Sequence, residues 1–266
     1  MKIKTILKNI YYDYFFLPYS RFKNRIYYKD WDMPSRMGIE TTSYCNFRCK
    51  NCPNSKYERG LKKNLRLLPE EIFKKFISDL KKVNYKGILF FQFFGEPLTD
   101  KRIFNFVRYA RDNLPDCLLQ INTNGALLTQ ESYNKLIKAG VDNIVVTEYT
   151  LPIIDRLRKE LGDYNITYRR IKDIRISDVG GEIEVENNLN SDRPECIASS
   201  GTLIVDCEGN IVLCCNDYHS SFKFGNIKEK GVFEIWHSPN FVNLRKKLYH
   251  QNFDLTICKK CIGIEK

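Results

Sequence analysis

The stretch Cys45-Asn46-Phe47-Arg48-Cys49-Lys50-Asn51-Cys52-Pro53 places three cysteines in the spacing C-x₃-C-x₂-C. It directly follows a short apolar run, Met37 to Thr42, which predicts a strand that leads into a cysteine loop. The chain carries ten cysteines, and its N-terminal segment lacks the small-residue cleavage site of a secretory signal. Because clustered cysteines in a reducing compartment hold metal more often than they form disulfides, the stretch predicts a metal site.

This early cysteine group, Cys45, Cys49 and Cys52, suits two kinds of metal site. A zinc site closes with four nitrogen or sulfur ligands, whereas this group offers three thiols and all three histidines lie beyond residue 218. Three thiolates on an iron–sulfur cubane would instead leave one iron open to bind another molecule. The spacing therefore favours a reactive cluster, and a zinc site completed by a distant residue is the alternative.

Strand-like and helix-like patterns alternate beyond the cysteines. In chain order, the sequence predicts strand 37–42, helix 69–80, strand 87–94, helix 100–113, strand 117–122, helix 129–139, strand 143–147, helix 153–161 and strand 165–171. Serial β/α units with short connections predict a parallel sheet whose ligand site lies at the carboxyl ends of the strands. The predicted fold class is α/β, a partial (β/α) barrel.

The pattern changes at Gly180-Gly181. A strand over Glu182–Glu186 is predicted next, then a hairpin that turns at Asp206–Asn210 and short helices at 231–236 and 239–248. We therefore predict three parts: an N-terminal basic and aromatic arm (1–36), the partial barrel (37–190) and a small cysteine-bearing domain (191–266).

Three motifs resemble, in order, those of the radical S-adenosylmethionine (SAM) superfamily. The cysteine loop resembles the motif whose open iron chelates SAM, and Phe94-Gly95-Glu96-Pro97 resembles the Gly-Gly-Glu element that receives the SAM ammonium group. Thr123-Asn124-Gly125 resembles the ribose-side turn, although each short motif alone is also typical of a tight turn. Asn51 stands where the family usually has an aromatic residue. The resemblance implies a [4Fe–4S] cluster and SAM, with SAM-binding residues Asn51, Phe94, Gly95, Glu96, Thr123, Asn124, Gly125 and Thr147.

The late cysteines resemble the short auxiliary-cluster domain called twitch, a reduced relative of the SPASM domain. Its four implied ligands are Cys196, Cys214, Cys258 and Cys261. Four thiolates would fully ligate a second [4Fe–4S] cluster, which passes electrons and does not bind SAM. A structural Cys₄ zinc site is the alternative, since C-x₂-C is also a zinc half-site. Cys207 or Cys215 could replace a ligand, and Cys117 is predicted as a small core residue.

Between Ile39 and Cys261 the chain resembles the two-cluster dehydrogenases that oxidise a cyclitol alcohol to a ketone. The resemblance implies hydrogen abstraction by a 5′-deoxyadenosyl radical from a sugar or cyclitol, with the auxiliary cluster as electron acceptor. Those enzymes have an arginine before the Gly-Gly pair and a glutamate after the second auxiliary ligand, where this chain has Val179 and Asn216. Asp217 and Asp178 are therefore the candidate bases, and both also suit a turn.

Two other enzyme functions stay open. In a redox-neutral epimerase, Cys215 would return a hydrogen atom to the opposite face of the substrate. Peptide modification is the task of many twitch and SPASM relatives, although the sequence contains no recognisable leader-peptide-binding domain.

Net charge and hydropathy limit the partners. The formal charge of +11 suits anionic substrates or surfaces, but the cations are spread along the chain without a nucleic-acid-recognition motif. A two-zinc nucleic-acid module is the non-enzyme alternative. No apolar run of eighteen residues is present, which predicts a soluble protein. Ten cysteines without a secretory signal predict a cytoplasmic location. The arm either contacts a membrane surface or packs on the domain. The resemblance further implies an electron donor such as flavodoxin or ferredoxin.

Overall fold

A computed structural model describes residues 22, 25, 32–173, 178–184, 196 and 201–265. These residues form one sheet of eight strands in the order β5-β4-β3-β2-β1-β6-β7-β8. The strands are β1 (Arg36–Ile39), β2 (Ile88–Phe90), β3 (Leu118–Thr123), β4 (Asn143–Glu148), β5 (Ile166–Arg170), β6 (Thr202–Val205), β7 (Asn210–Val212) and β8 (Lys223–Asn226). Strands β1 to β6 are parallel, and β7 and β8 complete the sheet in antiparallel pairing.

The helices follow the predicted order. They are α1 (Glu70–Lys82), α2 (Ile103–Asn113), α3 (Gln130–Ala139), α4 (Ile154–Leu161), α5 (Val232–Trp236), α6 (Pro239–Tyr249) and α7 (Thr256–Cys261). The predicted apolar stripe of α1 is buried, namely Ile72, Phe73, Phe76, Ile77 and Leu80. Short polar connections and apolar stripes at helical spacing thus produce the β/α succession.

The two faces of the sheet have different surroundings. Leu89, Leu119, Ile121 and Ile144 point to one face and join the helices in the main core. On the other face, Phe90, Phe93, Ile204 and Val212 form a smaller cluster. This arrangement confirms the predicted α/β class with a partial, open parallel barrel.

Strand β6 continues the barrel sheet. It pairs in parallel with β1, from Arg36 opposite Thr202 to Ile39 opposite Val205. The predicted hairpin is confirmed, because β6 and β7 are antiparallel around the turn at Asp206. The boundary predicted near residue 190 lies outside the described residues, as does most of the 1–36 arm, and both stay predictions.

Some predicted elements differ from the observed ones. Residues 182–184 form a turn and bend instead of the start of the predicted strand, and 185–186 lie outside the described residues. The strand predicted over 87–94 ends at Phe90, because the backbone of Phe94 and Gly95 bonds to a side chain instead of a neighbouring strand. The sequence analysis missed β8, a short strand with Gly225 inside it, and α7, which carries the last cysteine pair.

Candidate active site

Loops from the carboxyl ends of five parallel strands meet at one edge of the sheet. The cysteine loop follows β1, Phe94-Gly95-Glu96 follows β2, and Thr123-Asn124-Gly125 closes β3. Thr150 lies just beyond β4, and Cys207 lies just beyond β6. Such convergence is how parallel sheets assemble ligand sites.

The three early cysteines share one buried environment. Burial, with smaller electrostatic contributions from Glu96, Cys52 and Cys49, raises the pKa of Cys45 to about 12. Burial likewise raises the pKa values of Cys49 and Cys52. Cys49 Sγ lies 3.6 Å from Thr150 Oγ1, and Asn124 Nδ2 lies 4.0 Å from Cys45 Sγ. Three thiols from one loop thus lie close to each other beside buried Glu96, a donor set that suits a metal cluster, and metal binding would displace their protons.

Glu96 links the loops after β2 and β3. Its side chain is buried, and its carboxylate accepts hydrogen bonds from Thr123 Oγ1 at 2.7 Å, Asn124 N at 2.8 Å and Leu98 N at 3.2 Å. Burial raises the pKa of Glu96 to about 7, against the lowering effect of these donors. Glu96 thus anchors the predicted SAM-binding turns to each other, and its ionisation changes near neutral pH.

Gly95 has no room for a side chain. A Cβ at this position would lie 1.8 Å from the carbonyl oxygen of Thr42, in the segment that leads into the cysteine loop. The neighbouring amide of Glu96 donates to Tyr44 O at 2.8 Å, so the two loops are in direct backbone contact. Glycine is required here because of this close approach.

The sequence analysis missed Glu40 and Arg59, which hold the site from below. Buried Glu40 accepts hydrogen bonds from the backbone amides of Phe94 and Gly95 at 3.0 and 3.1 Å, and from Cys207 N at 3.3 Å. Its two carboxylate oxygens also receive the Arg59 guanidinium at 3.0 and 2.6 Å. The available signal was a carboxylate inside the apolar run 37–42, since a buried charge requires a partner.

Asn54 and Tyr218 connect the cysteine loop to the C-terminal segment. Asn54 Nδ2 donates to Phe94 O at 3.0 Å, and Tyr218 Oη donates to Asn54 Oδ1 at 2.9 Å. The Arg59 guanidinium stacks over the Phe93 and Tyr218 rings at 5.4 and 5.5 Å. Because Asn54 and Tyr218 are buried, these contacts fix the loop against the last third of the chain.

The late cysteines form a second group. Burial, with smaller electrostatic contributions from nearby Cys196 and Cys261, raises the pKa of Cys258 to about 12. Cys214 is coupled to Cys196 and Cys261, and burial raises its pKa. Asn216 donates twice to this group, from its backbone N to Cys214 Sγ at 3.4 Å and from Nδ2 to Cys261 Sγ at 3.3 Å. The four predicted auxiliary ligands therefore come together.

Cys207 and Cys215 have different positions. Cys207 is buried, and its electrostatic neighbours are Glu40, Arg59, Asp206 and Arg66, so it belongs to the support of the first site. Cys215 is exposed beside Cys214. Within the described residues, no three Cys, His, Asp or Glu side chains are arranged to hold a single metal ion.

The predicted bases take part in turns. Buried Asp217 accepts backbone hydrogen bonds from Ser221 N at 2.8 Å and Phe222 N at 3.0 Å. Asp178 Oδ1 accepts from Gly180 N at 3.2 Å. Val179 lies in the apolar cluster of Ile183 and Tyr218. The catalytic use of Asp178, Asp217 and Cys215 stays a prediction.

The two remaining predicted SAM-binding residues lie near the first site. Thr147 is buried near the end of β4, and its hydroxyl hydrogen-bonds with Tyr149, which is electrostatically coupled to Cys49, Cys52 and Glu96. Asn51 lies in the turn just before Cys52.

Sequence comparison identifies two families along the chain. The profile of the Radical SAM superfamily matches residues 39–175, about half of the chain. The chain belongs to the radical SAM superfamily. A second profile, SPASM, the iron-sulfur cluster-binding domain, matches residues 196–262. The predicted cofactors, [4Fe–4S] clusters and SAM, are confirmed by this membership.

One curated relative of this radical SAM protein is similar along nearly its whole length. The S-adenosyl-L-methionine-dependent 2-deoxy-scyllo-inosamine dehydrogenase of Niallia circulans is 27% identical over 240 residues, 86% of this chain and 93% of that one. The resemblance to these dehydrogenases, expected from the sequence, thus extends over most of both chains. A GTP 3′,8-cyclase of Campylobacter lari is 35% identical over only 118 residues, 42% of this chain and 34% of that protein.

A solved structure has the same overall arrangement. The crystal structure of BtrN in complex with AdoMet and 2-DOIA matches with a TM-score of 0.79 and 26% identity, covering 86% of this chain and 93% of that chain. BtrN in an open conformation matches with a TM-score of 0.68 and 25% identity, covering 86% and 92%. The present radical SAM chain therefore resembles the ligand-bound form more than the open form.

No helix among the described residues is long and apolar enough to cross a membrane.

Proposed function

We propose that the chain is a radical SAM dehydrogenase that oxidises a carbinol carbon of a sugar or cyclitol to a ketone. The observation that carries this proposal is the similarity to the SAM-dependent 2-deoxy-scyllo-inosamine dehydrogenase over 93% of that enzyme. A relative with a different reaction is similar over less than half of this chain. The similarity to the dehydrogenase, at 86% of this chain, covers about twice as much of it.

The reaction balances with the two cysteine groups in separate roles. A cluster held by Cys45, Cys49 and Cys52 would supply one electron to SAM, and SAM would supply the radical that removes one hydrogen atom from the carbinol carbon. Formation of the ketone then requires the loss of one proton from the hydroxyl group and of one electron. An auxiliary [4Fe–4S] cluster held by Cys196, Cys214, Cys258 and Cys261 would accept that electron. Asp178 or Asp217 would accept the proton.

The residues of the chain hold the site in place for this chemistry. The Glu40–Arg59 pair fixes the backbone of Phe94 and Gly95, while Glu96 fixes the turn after β3. Phe93, Phe94 and Tyr218 pack around the Arg59 guanidinium. Aromatic rings in these positions limit the access of water to a reactive intermediate.

The external electron donor is proposed to be a flavodoxin or ferredoxin. Such carriers would be attracted by the net charge of +11, which strengthens association with acidic partners at low ionic strength. We also propose that the 1–36 arm contacts a membrane surface, and this proposal rests only on its basic and aromatic composition.

Exposed Cys215 beside an auxiliary ligand favours epimerisation as the second candidate. In that reaction the thiol would return a hydrogen atom to the substrate radical, and the substrate would gain no carbonyl group. A deuterium atom gained from D₂O without ketone formation would support epimerisation and contradict the dehydrogenase.

The deciding experiment combines metal content with product analysis. Anaerobically reconstituted protein is expected to bind about eight irons, and the Cys258→Ala/Cys261→Ala variant about four. Both should cleave SAM to 5′-deoxyadenosine, but only the parent should convert 2-deoxy-scyllo-inosamine or a related polyol to a ketone. Zinc in place of iron, without SAM cleavage, would contradict the proposal and favour the two-zinc nucleic-acid module.

A further inference from the structure

We propose that three side-chain amides, Gln92, Gln120 and Asn122, form a strip that binds the hydroxyl groups of the substrate. This inference rests on the proposed function, and it adds the residues that recognise a neutral polyol. We call these three residues the amide strip.

The amide strip lies on the inner face of the partial barrel. Along β3, Leu119 and Ile121 are fully buried towards the helices, whereas Gln120 and Asn122 alternate with them and are half-buried. Leu118 begins the same inner face and is 52% exposed, so this part of the face is accessible to solvent. A ligand can therefore approach the strip from the open side of the sheet.

Neighbouring strands align the three amides. Phe90, the last residue of β2, lies opposite Gln120 of β3, and the segment after β2 brings the Gln92 side chain within hydrogen-bonding distance of Asn122. Gln120 Nε2 donates to Asn122 Oδ1 at 2.6 Å, and Asn122 Nδ2 donates to Gln92 Oε1 at 3.4 Å. Gln92 Nε2 donates in turn to the carbonyl oxygen of Phe93. All three bonds run in one direction, which fixes the orientation of each amide.

This arrangement leaves hydrogen-bonding capacity for a ligand. Each amide nitrogen has two N–H donors. Among the described residues, one donor of Gln120 and one of Asn122 bond within the strip, and one donor of Gln92 bonds to the Phe93 carbonyl oxygen. Each amide oxygen has two lone pairs. Amides therefore present donors and acceptors side by side without charge, which matches a hydroxyl group that both donates and accepts.

The strip begins next to the SAM-binding edge. Asn124, whose amide lies beside Cys45 and Asn46, is two residues beyond Asn122, just past the end of β3. Two residues of a strand span about 6.6 Å, so a ligand on the strip lies below the SAM edge and close to it. Phe90 and Phe93 lie beside Gln92 in the inner apolar cluster. The amide strip therefore borders apolar side chains on its SAM side.

A purely structural role would give a different result. If the amides only join β2 to β3, replacing one of them would lower the free energy of unfolding and leave polyol affinity unchanged. If they bind substrate, polyol affinity falls while SAM affinity, which depends on the loop residues, is retained.

The test uses the full chain with both clusters reconstituted and SAM bound. Calorimetric titration with 2-deoxy-scyllo-inosamine and with the neutral polyol myo-inositol is compared for the parent, Asn122→Leu and Gln120→Met. The control is Gln130→Met, which removes an amide from the exposed Gln130–Asn134 pair of α3. We expect each strip variant to bind the polyols about tenfold more weakly, the value of one lost hydrogen bond, and the control to bind as the parent does.

Parent-like polyol affinity in both strip variants would overturn the inference, and so would a parent that binds SAM but neither polyol. If Asn122→Leu does not fold, Gln120→Met, which lies further from the SAM edge, decides the question. Failure of the proposed function gives a different result: the polyols still bind and still depend on the amide strip, but no ketone is formed.

Discussion

At the scale of single residues, the predicted SAM-binding residues are held in place by contacts with distant segments of the chain. Gly95, Glu96 and Thr123 were predicted from their motifs, but the sequence did not reveal what they contact. Gly95 is set by the Thr42 carbonyl oxygen in the segment that leads into the cysteine loop, and Glu96 by two donors from the turn after β3. These contacts join residues more than twenty positions apart, so no local pattern encodes them.

Glu96 should make SAM binding sensitive to pH. Its pKa is raised to about 7, so the carboxylate loses its charge as pH falls through 7 and becomes a poorer acceptor for the SAM ammonium group. We expect SAM affinity to be constant above about pH 8 and to fall by up to about tenfold per pH unit below 7. Equilibrium dialysis of the cluster-loaded protein between pH 6 and 9 measures this profile.

Two variants of Thr123 test whether Glu96 causes that pH profile. The Thr123 hydroxyl donates to Glu96 and lowers its pKa, so loss of the hydroxyl should move the midpoint to higher pH. Thr123→Ser keeps the donor and should keep the parent midpoint. Equal SAM affinity at pH 6 and pH 8 in the parent would contradict the role given to Glu96.

Gly95→Ala should destabilise the protein and abolish SAM binding. The added methyl group would overlap the Thr42 carbonyl, so the two loops must separate, at a cost of about 1–3 kcal/mol. Urea unfolding measures the loss, and Gly201→Ala is the control because its new methyl group would meet only Ser35 Oγ at 3.7 Å. A Gly95→Ala protein as stable as the Gly201→Ala protein would show that the close approach is not required.

Asn216 should raise the reduction potential of the auxiliary cluster. Hydrogen bonds to ligand sulfurs favour the reduced, more negative state, and Asn216 Nδ2 makes one to Cys261 Sγ. Asn216→Leu removes a bond of about 1 kcal/mol, which corresponds to about 40 mV for one electron. Redox titration followed by EPR should find the auxiliary potential lowered by that order, with the SAM-site potential unchanged. An unchanged auxiliary potential, with Asn134→Leu as the surface control, would contradict this role.

At the scale of elements, the strand ends are joined by one buried ion pair. Most strands and helices could be predicted from apolar periodicity, because that signal is local. The partner strand of β1 could not be predicted, since β6 lies more than 160 residues away. The link between them, Glu40 to Arg59 and to the amides after β2 and β6, is visible only once the chain is folded.

Replacing Arg59 alone should lower the free energy of unfolding more than replacing Glu40 and Arg59 together. Arg59→Met leaves the buried Glu40 carboxylate without its cation, with an expected loss of about 3–5 kcal/mol. The double variant Glu40→Gln/Arg59→Met leaves no charge and should recover part of that loss. A double-mutant cycle from urea unfolding checks this, with exposed Lys135–Glu131 as the control pair. Additive losses in the Glu40–Arg59 cycle would show that the two side chains act independently.

At the scale of the whole molecule, the barrel and the C-terminal region share one sheet. The predicted division near residue 190 followed a change of sequence pattern, but such a change says nothing about which strands pair. β1 lies between β2 and β6, and Asp79 of α1 accepts a hydrogen bond from Val232 N of α5 at 3.2 Å. Trp236 Nε1 also donates to Asp32 O at 2.7 Å, close to the start of β1.

A fragment that ends at residue 190 should therefore not fold by itself. It would expose the edge of β1 and the apolar side chains that Leu203, Val205 and Trp236 cover in the full chain, all of them fully buried. Exposed strand edges and apolar surface favour aggregation, so we expect the fragment to lack a cooperative urea transition and to precipitate. The control is the full chain cut after residue 190 by a protease site inserted there, because its two pieces are still held together by the β1–β6 pairing. If the isolated fragment unfolds cooperatively and binds SAM after cluster reconstitution, the barrel is an independent domain and the shared sheet is dispensable for the first site.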